Sequence, residues 1–249
     1  MVEARVTIDA TRIPYRELNA QLRHVVENGA ERIDLHNVCG QRYIGSDLHK
    51  PIEIHIHGTP GNDLAAFMSG PRIIVHGNAQ DGCGNTMNGG EVVIHGRAGD
   101  VTGYAMRGGK IFVRDDVGYR VGIHIKEYQA QRPIIVIGGT AQHFLGEYMA
   151  GGVLVVLGLS LAPGERHIAT YIGTGMHGGV IYVRGNVEAH QLGKEVGCVP
   201  LDDGDKALLR QLVGEYAAHF DRDPAAILDR PFTKLVPLSS RPYGRLYAY

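Results

Sequence analysis

The chain has 249 residues, enough for one large core or for a core with appendages, and its 44% hydrophobic content is that of a globular protein. Twenty-five basic residues nearly balance 26 acidic ones, so no electrostatic footprint for nucleic acid or an anionic membrane is present, and neither is expected as a partner. The opening "MVEARVTIDATRIPYRELN" has no charged-then-apolar leader pattern and no apolar run reaches membrane-spanning length, so a cytoplasmic protein is expected.

In chain order, "PYRELNAQLRHVVENGA" (14 to 30) carries apolar residues at helical spacing with Gly29 as its stop, and "ERIDLHNV" then reads as a strand. Residues 1–45 are thus predicted to form an N-terminal helix-and-strand cap. From residue 46 the 35 glycines, about twice the ordinary usage of roughly 7%, fall into a repeat. "GNTMNGGEVVIHG", "GYAMRGGKIFVRD", "GEYMAGGVLVVLG" and "GTGMHGGVIYVRG" are variants of one phrase. Its period is 19, with five extra residues in the fifth unit, near 126–132, and eight in the seventh, near 159–172. Between units runs Gly-x-x-Gly-x-x-x-Gly, complete at Gly96, Gly99 and Gly103.

Stacking the units makes columns. Ile54, Ile73, Val92, Ile111, Ile135, Leu154 and Ile181 share one, and Ile56, Val75, Ile94, Val113, Ile137, Val156 and Val183 another two residues on. Residues two apart on a strand point the same way, so both columns are expected to face inward. Met68, Met87, Met106, Ile125, Met149 and Met176 form a third, read as core filling. Glu53, Arg72, Glu91 and Lys110 alternate in sign, as an exposed file requires.

One strand per coil with glycine bends describes an all-β fold, a right-handed parallel β-helix of about seven coils over 46–190, rising by roughly 4.8 Å per coil. After Pro200, "DDGDKALLRQLVGEYAAHF" is an amphipathic helix and "DPAAILD" a second, short one. Residues 191–249 are predicted to be a C-terminal helical cap, covering the solenoid end, with an extended tail "FTKLVPLSSRPYGRLYAY".

Several motifs invite chemistry. "GTGMHGG" (173 to 179) contains G-x-G-x-x-G, but "VIYVRG" follows it as a strand where a dinucleotide fold needs a helix N-terminus. His57, His76 and His95 share a column, with rings expected about 5 Å apart; a column diverges where a zinc site converges, so a solvated face is the preferred reading. Asn62, Asp81 and Asp100 also stack, followed by Tyr119 and His143, and are read as corner chemistry. Cys39, Cys83 and Cys198 lie far apart and are each read as small buried residues. No catalytic, cofactor-binding or metal-binding residue is assigned.

The coils "GTPGNDLAAFM", "GNAQDGCGNTMN", "GYAMRGG", "GYRVGIH", "FLGEYMAGG" and "GTGMHGG" resemble the C-terminal domain of the glutamate synthase α subunit, the GXGXG domain, over about residues 36 to 190. The chain is most similar to the stand-alone third subunit of the archaeal-type glutamate synthases, and more distantly to the formylmethanofuran dehydrogenase subunit built on the same repeat. The resemblance implies a non-catalytic structural subunit in glutamate biosynthesis and ammonia assimilation, organising a glutamine amidotransferase subunit and an FMN and iron-sulfur synthase subunit. Those cofactors would belong to the partner, not to this chain, where valine follows Met1 in place of a cysteine nucleophile. Asp115 and "KEYQAQR" depart from the family pattern, read either as docking positions or, equally, as corner variation. Three alternatives stay open: a scaffold in an N-methylglutamate synthase or formylmethanofuran dehydrogenase type of complex, a self-sufficient metal-dependent enzyme using His57, His76 and His95, and a homo-oligomer joined through coil edges.

Overall fold

A computed structural model of the chain describes residues 5–238. Its strands are β1 (Arg5–Asp9), β2 (Arg32–Cys39), β3 (Glu53–Thr59), β4 (Arg72–Val75), β5 (Glu91–Ile94), β6 (Lys110–Val113), β7 (Ile134–Ile137), β8 (Ala150–Val156), β9 (Gly178–Arg184), β10 (Val196–Val199) and β11 (Phe232–Pro237). Helix α1 (Tyr15–Glu27) lies between β1 and β2; α2 (Asp203–Phe220) and α3 (Pro224–Leu228) lie between β10 and β11.

Strands β1 to β9 follow one another in a single parallel sheet, which β11 and then β10 extend antiparallel. Pairing sets Ile54 beside Ile73, Val92, Ile111, Ile135, Leu154 and Ile181 in turn, which is the sequence register including both insertions. Every member of that column is fully buried, and the column from Ile56 to Val183 is at most 2% exposed. The methionine column is buried as well. Each such side chain contributes about 1.5–3 kcal/mol of burial, repeated coil after coil. The seven strands β3 to β9 bound six turns, close to the roughly seven expected, and beyond β9 the chain stacks once more on the last corner, Leu192 bridging Ile172, while β11 closes the sheet on β9.

The N-terminal segment plugs one end of the interior: Leu18, Leu22 and Val26 of α1 join the solenoid core. The Lys50 ammonium donates to the carbonyls of Val26 and Glu27, satisfying the helix C-terminus.

The C-terminal helix does not do the same at the other end, contrary to the expectation from sequence. Helix α2 lies over the outer face of the sheet, burying a second core of Ile74, Val93, Phe112, Val136, Val155 and Tyr182 beneath Leu209, Leu212, Val213 and Tyr216. The reason is local: these outward positions are apolar, so the strands carry apolar residues on both faces and the sheet needs a cover. Asp202 and Asp205 form a reciprocal capping box at the start of α2. Asp205, 7% exposed, also accepts from the Tyr182 hydroxyl and pairs with Lys234 at 2.6 Å, joining α2 to β9 and β11. Tyr216 donates to the Arg114 carbonyl at 2.9 Å by passing over Gly138, where any Cβ would collide with its hydroxyl.

The charged file behaves as its alternation requires. Arg72 bridges Glu53 and Glu91, and Lys110 reaches Glu215 on α2. The cysteine reading needs correction: Cys83 is buried in the core, where burial pushes its thiol up to about 12, but Cys39 and Cys198 are exposed. Cys39 ends β2 and Cys198 lies on the edge strand β10, both at exposed positions. The tail from residue 239 onward, like residues 1–4, lies outside the described residues, while "FTKLVP" forms β11 against β9.

Candidate functional site

Two surfaces concentrate chemically active side chains. The first is the glycine corner. In each coil three alternate residues take a left-handed φ: Val101, Gly103 and Ala105 in one, Arg120, Gly122 and His124 in the next, then Phe144, Gly146 and Tyr148. The middle residue faces the core. A Cβ on Gly103 (φ +72°) would strike Ile135, and so most coils keep glycine there, Ala65 being the exception. The outer two positions tolerate side chains, at about 1–2 kcal/mol each for a non-glycine residue held left-handed.

Backbone donors at this corner are already used. From Gly173 to Gly178, the "GTGMHGG" stretch, amides donate in turn to Leu145 O, Tyr171 O, Glu195 Oε2, Gly173 O, and twice to Met149 O. The segment runs straight into β9. Its glycines turn the chain, and no free amide nest faces a phosphate there. The stacked carboxylates serve the same geometry: Asp81 Oδ1 accepts from the Asp100 amide at 2.8 Å, and Asp100 Oδ1 from the Tyr119 amide at 2.9 Å.

What projects from the corner is aromatic and basic. Tyr148 stacks on His124 (5.2 Å between centroids, 11° between planes), Tyr171 stacks on Phe144 (4.9 Å, 10°), and the Arg120 guanidinium lies 4.6 Å from the Phe144 centroid. Tyr148 and Tyr171 are nevertheless about half exposed, at 46% and 55%. A cleft of about 390 Å³ is lined here by Tyr104, Arg107, His124, Lys126, Tyr148 and His177. Sequence reading attended to the corner glycines and missed these residues; the signal available was aromatic residues recurring in the columns where other coils carry glycine.

The second surface is the histidine column. His57 and His76 stack at 4.5 Å and 8°, His76 and His95 at 5.6 Å and 18°. The stack is longer than sequence indicated, since His36 stacks on His57 at 4.5 Å. Pairing of Leu35 with Ile56 puts His36 in that column, and aligning "RIDLH" with "EIHIH" would have revealed it. A relay joins from the side: Glu53 Oε1 lies 2.6 Å from His55 Nε2, and His55 Nδ1 lies 2.9 Å from His76 Nε2. His55's hydrogen bond holds the Glu53 carboxyl below its ordinary range. Burial, then repulsion among neighbouring cations, pushes His57, His76 and His95 below the usual imidazole value.

The expectation of a fully solvated face holds only in part. His76 is exposed, but His95 meets the Phe220 ring edge-on at 5.1 Å, and Leu157 further along is buried under α2. Parallel rings set their nitrogens side by side, and among the described residues no group of three or more His, Cys, Asp or Glu is placed to hold a metal ion. The three cysteines do not suit an iron-sulfur cluster, because Cys39 and Cys198 sit at opposite ends of the sheet and Cys83 inside the core. Among the described residues no helix is long and apolar enough to cross a membrane.

The GXGXG motif family model matches residues 16–238. An uncharacterized protein of Methanocaldococcus jannaschii is 45% identical over 250 residues, covering 97% of this chain and 96% of that protein. Among solved structures, the chain is similar to one in the formyltransferase/hydrolase complex from Methylorubrum extorquens, determined with methylofuran. The TM-score is 0.64 at 18% identity, over 94% of this chain and 92% of that one.

Proposed function

The chain belongs to the GXGXG family, and from that premise we propose that it is the non-catalytic β-helical subunit of a glutamate synthase complex. In this reading it holds a glutamine amidotransferase subunit and an FMN and iron-sulfur subunit in the arrangement that carries ammonia from one to the other. The observation that carries the reading is the family match across both the solenoid and its flanking elements. It is supported by corner amides already spent within the chain and by cysteines that do not suit a cluster. Flavin and iron-sulfur chemistry then falls to the partner.

The test is co-expression with chains of those two types. We expect a stable ternary complex, with glutamine-dependent glutamate formation at least about tenfold lower when this subunit is left out, the size of loss that misplacing reacting parts produces. Full coupling without the subunit would reject the reading. A second reading, a scaffold in a formyl-handling complex, is favoured by the fold likeness to the Methylorubrum extorquens chain. Assembly with formyltransferase-type chains in place of the amidotransferase would select it.

A further inference from the structure

Charges on the sheet face are matched within the chain. Arg72 lies between Glu53 and Glu91, and Lys110 is held by Glu215. The corner departs from this. Arg107 and Lys126 occupy the same position in consecutive coils, their amides donating to Met87 O and Met106 O, the two equivalent methionines. Coil spacing is about 4.8 Å, so like charges neighbour each other directly. Neither makes an ion pair among the described residues, and the cleft between them is lined by no carboxylate. The acids close by are engaged elsewhere: Glu127, beside Lys126 in the chain, takes the Gly152 amide and Arg132, and Glu147, 8% exposed, is held by Arg120 at 2.9 Å.

The same surface exposes Tyr104, Tyr148 and Tyr171, with His124 and His177 beside them. Tyrosine and arginine are the residues over-represented in protein interfaces, where a flat aromatic gives contact area at little entropy cost. The exposed rings run across several coils, further than a small anion would touch. A chain presenting carboxylates fits both the width and the sign.

We propose that the corner between Tyr104 and His177 is the docking surface for an acidic segment of a partner subunit. Two of its carboxylates, about one coil spacing apart, engage Arg107 and Lys126, and its apolar atoms lie against the Tyr104–His124–Tyr148 rings. The inference rests on the scaffold reading and adds to it the face that is used.

The experiment co-expresses the full chain with the amidotransferase-type and flavin-type subunits and measures assembly for three forms. These are the wild type, the corner reversal Arg107→Glu with Lys126→Glu, and a control reversal Lys206→Glu with Arg210→Glu on the outer side of α2. Melting curves establish that each variant folds, and Arg107→Gln with Lys126→Gln serves if the reversal does not. The corner reversal is expected to weaken assembly by about tenfold or more and the control by less than about twofold, with wild-type affinity falling as salt rises. Wild-type assembly matched by the corner variants would overturn the docking face and leave the scaffold reading standing. Failure of the wild type to assemble would overturn both. Stoichiometric uptake of inorganic phosphate at the cleft, with assembly indifferent to the reversal, would reassign the surface to a small anion.

Discussion

Every coil has a sheet side and a corner side, and both are rich in aromatic residues, yet they are finished differently. On the sheet side Phe112 and Tyr182 are at most 1% exposed, because α2 lies on them. On the corner Tyr148 and Tyr171 stand about half in solvent, and their backbones are held at φ +52° and +58°. Aromatic content alone does not separate core from surface. A covering element and an extended backbone mark the first, while an uncovered backbone held at left-handed φ marks the second.

The largest effect should come from breaking the covered side. Phe112→Ala is expected to cost about 3–5 kcal/mol of stability, as buried aromatic truncations do. Tyr171→Ala should stay within about 1 kcal/mol of wild type. Urea unfolding of both variants gives the comparison, and equal losses would erase the distinction. Next in size is the clasp that holds the cover. Asp205→Asn removes the charge shared by Tyr182 and Lys234 and is expected to cost about 1.5–3 kcal/mol. Lys234 and Tyr182 outweigh burial and hold the Asp205 carboxyl below its ordinary value. Its stabilisation is therefore present above an unfolded value of about 3.9 and is lost as pH falls through the lower folded value. The variant should show a shallower acid decline over that window.

The inner half of the fold was legible because it repeats. Columns such as Ile54 to Ile181 require only a constant period, and the glycines bracket each bend. The position of α2 was legible as well but was not read. After the charged first residue, "RIIV", "EVVI" and "KIFV" each carry three apolar residues in a row and "IIVI" carries four, and such unbroken runs belong to strands buried on both faces. Attention to period two within a strand hid the outward file from Ile74 to Tyr182. The aromatic corner was illegible for another reason. Left-handed φ at Phe144 or Tyr148 is imposed by amides bonding to neighbouring coils, and their side chains give no local sign of it. The relay Glu53–His55–His76 needed the strand orientation before His55 could be separated from His57.

The histidine column sharpens the comparison at its boundary, where the cover ends. His57, His76 and His95 have folded pKa values depressed below about 6.5, first by burial. Around them stand His36, His55, His219, Arg32 and Arg114 on the cationic side and Asp34 as the opposing charge. The unfolded chain takes up protons first, so these groups add stability above about pH 6.5 and withdraw it as pH falls through their folded values. His76→Gln should flatten the fall in melting temperature between pH 7.5 and 5.5. Tm rising over that interval in the wild type would contradict the sign.

The smallest effect concerns strain itself. Phe67 sits at φ +59° with its ring 52% exposed, in the corner column where the last coil carries Gly175. Phe67→Gly releases a left-handed penalty of about 1–2 kcal/mol. Against this, it forfeits half-buried ring area and adds roughly 0.5–1 kcal/mol of unfolded-state freedom. The terms nearly cancel, and the variant should melt within a few degrees of wild type. The reverse exchange is not symmetrical, because a Cβ at Gly175 runs into the Tyr148 ring, so Gly175→Phe should lower Tm clearly more. Should Phe67→Gly instead lose as much as Phe112→Ala, the corner ring is core, and the two sides of the coil are not different after all.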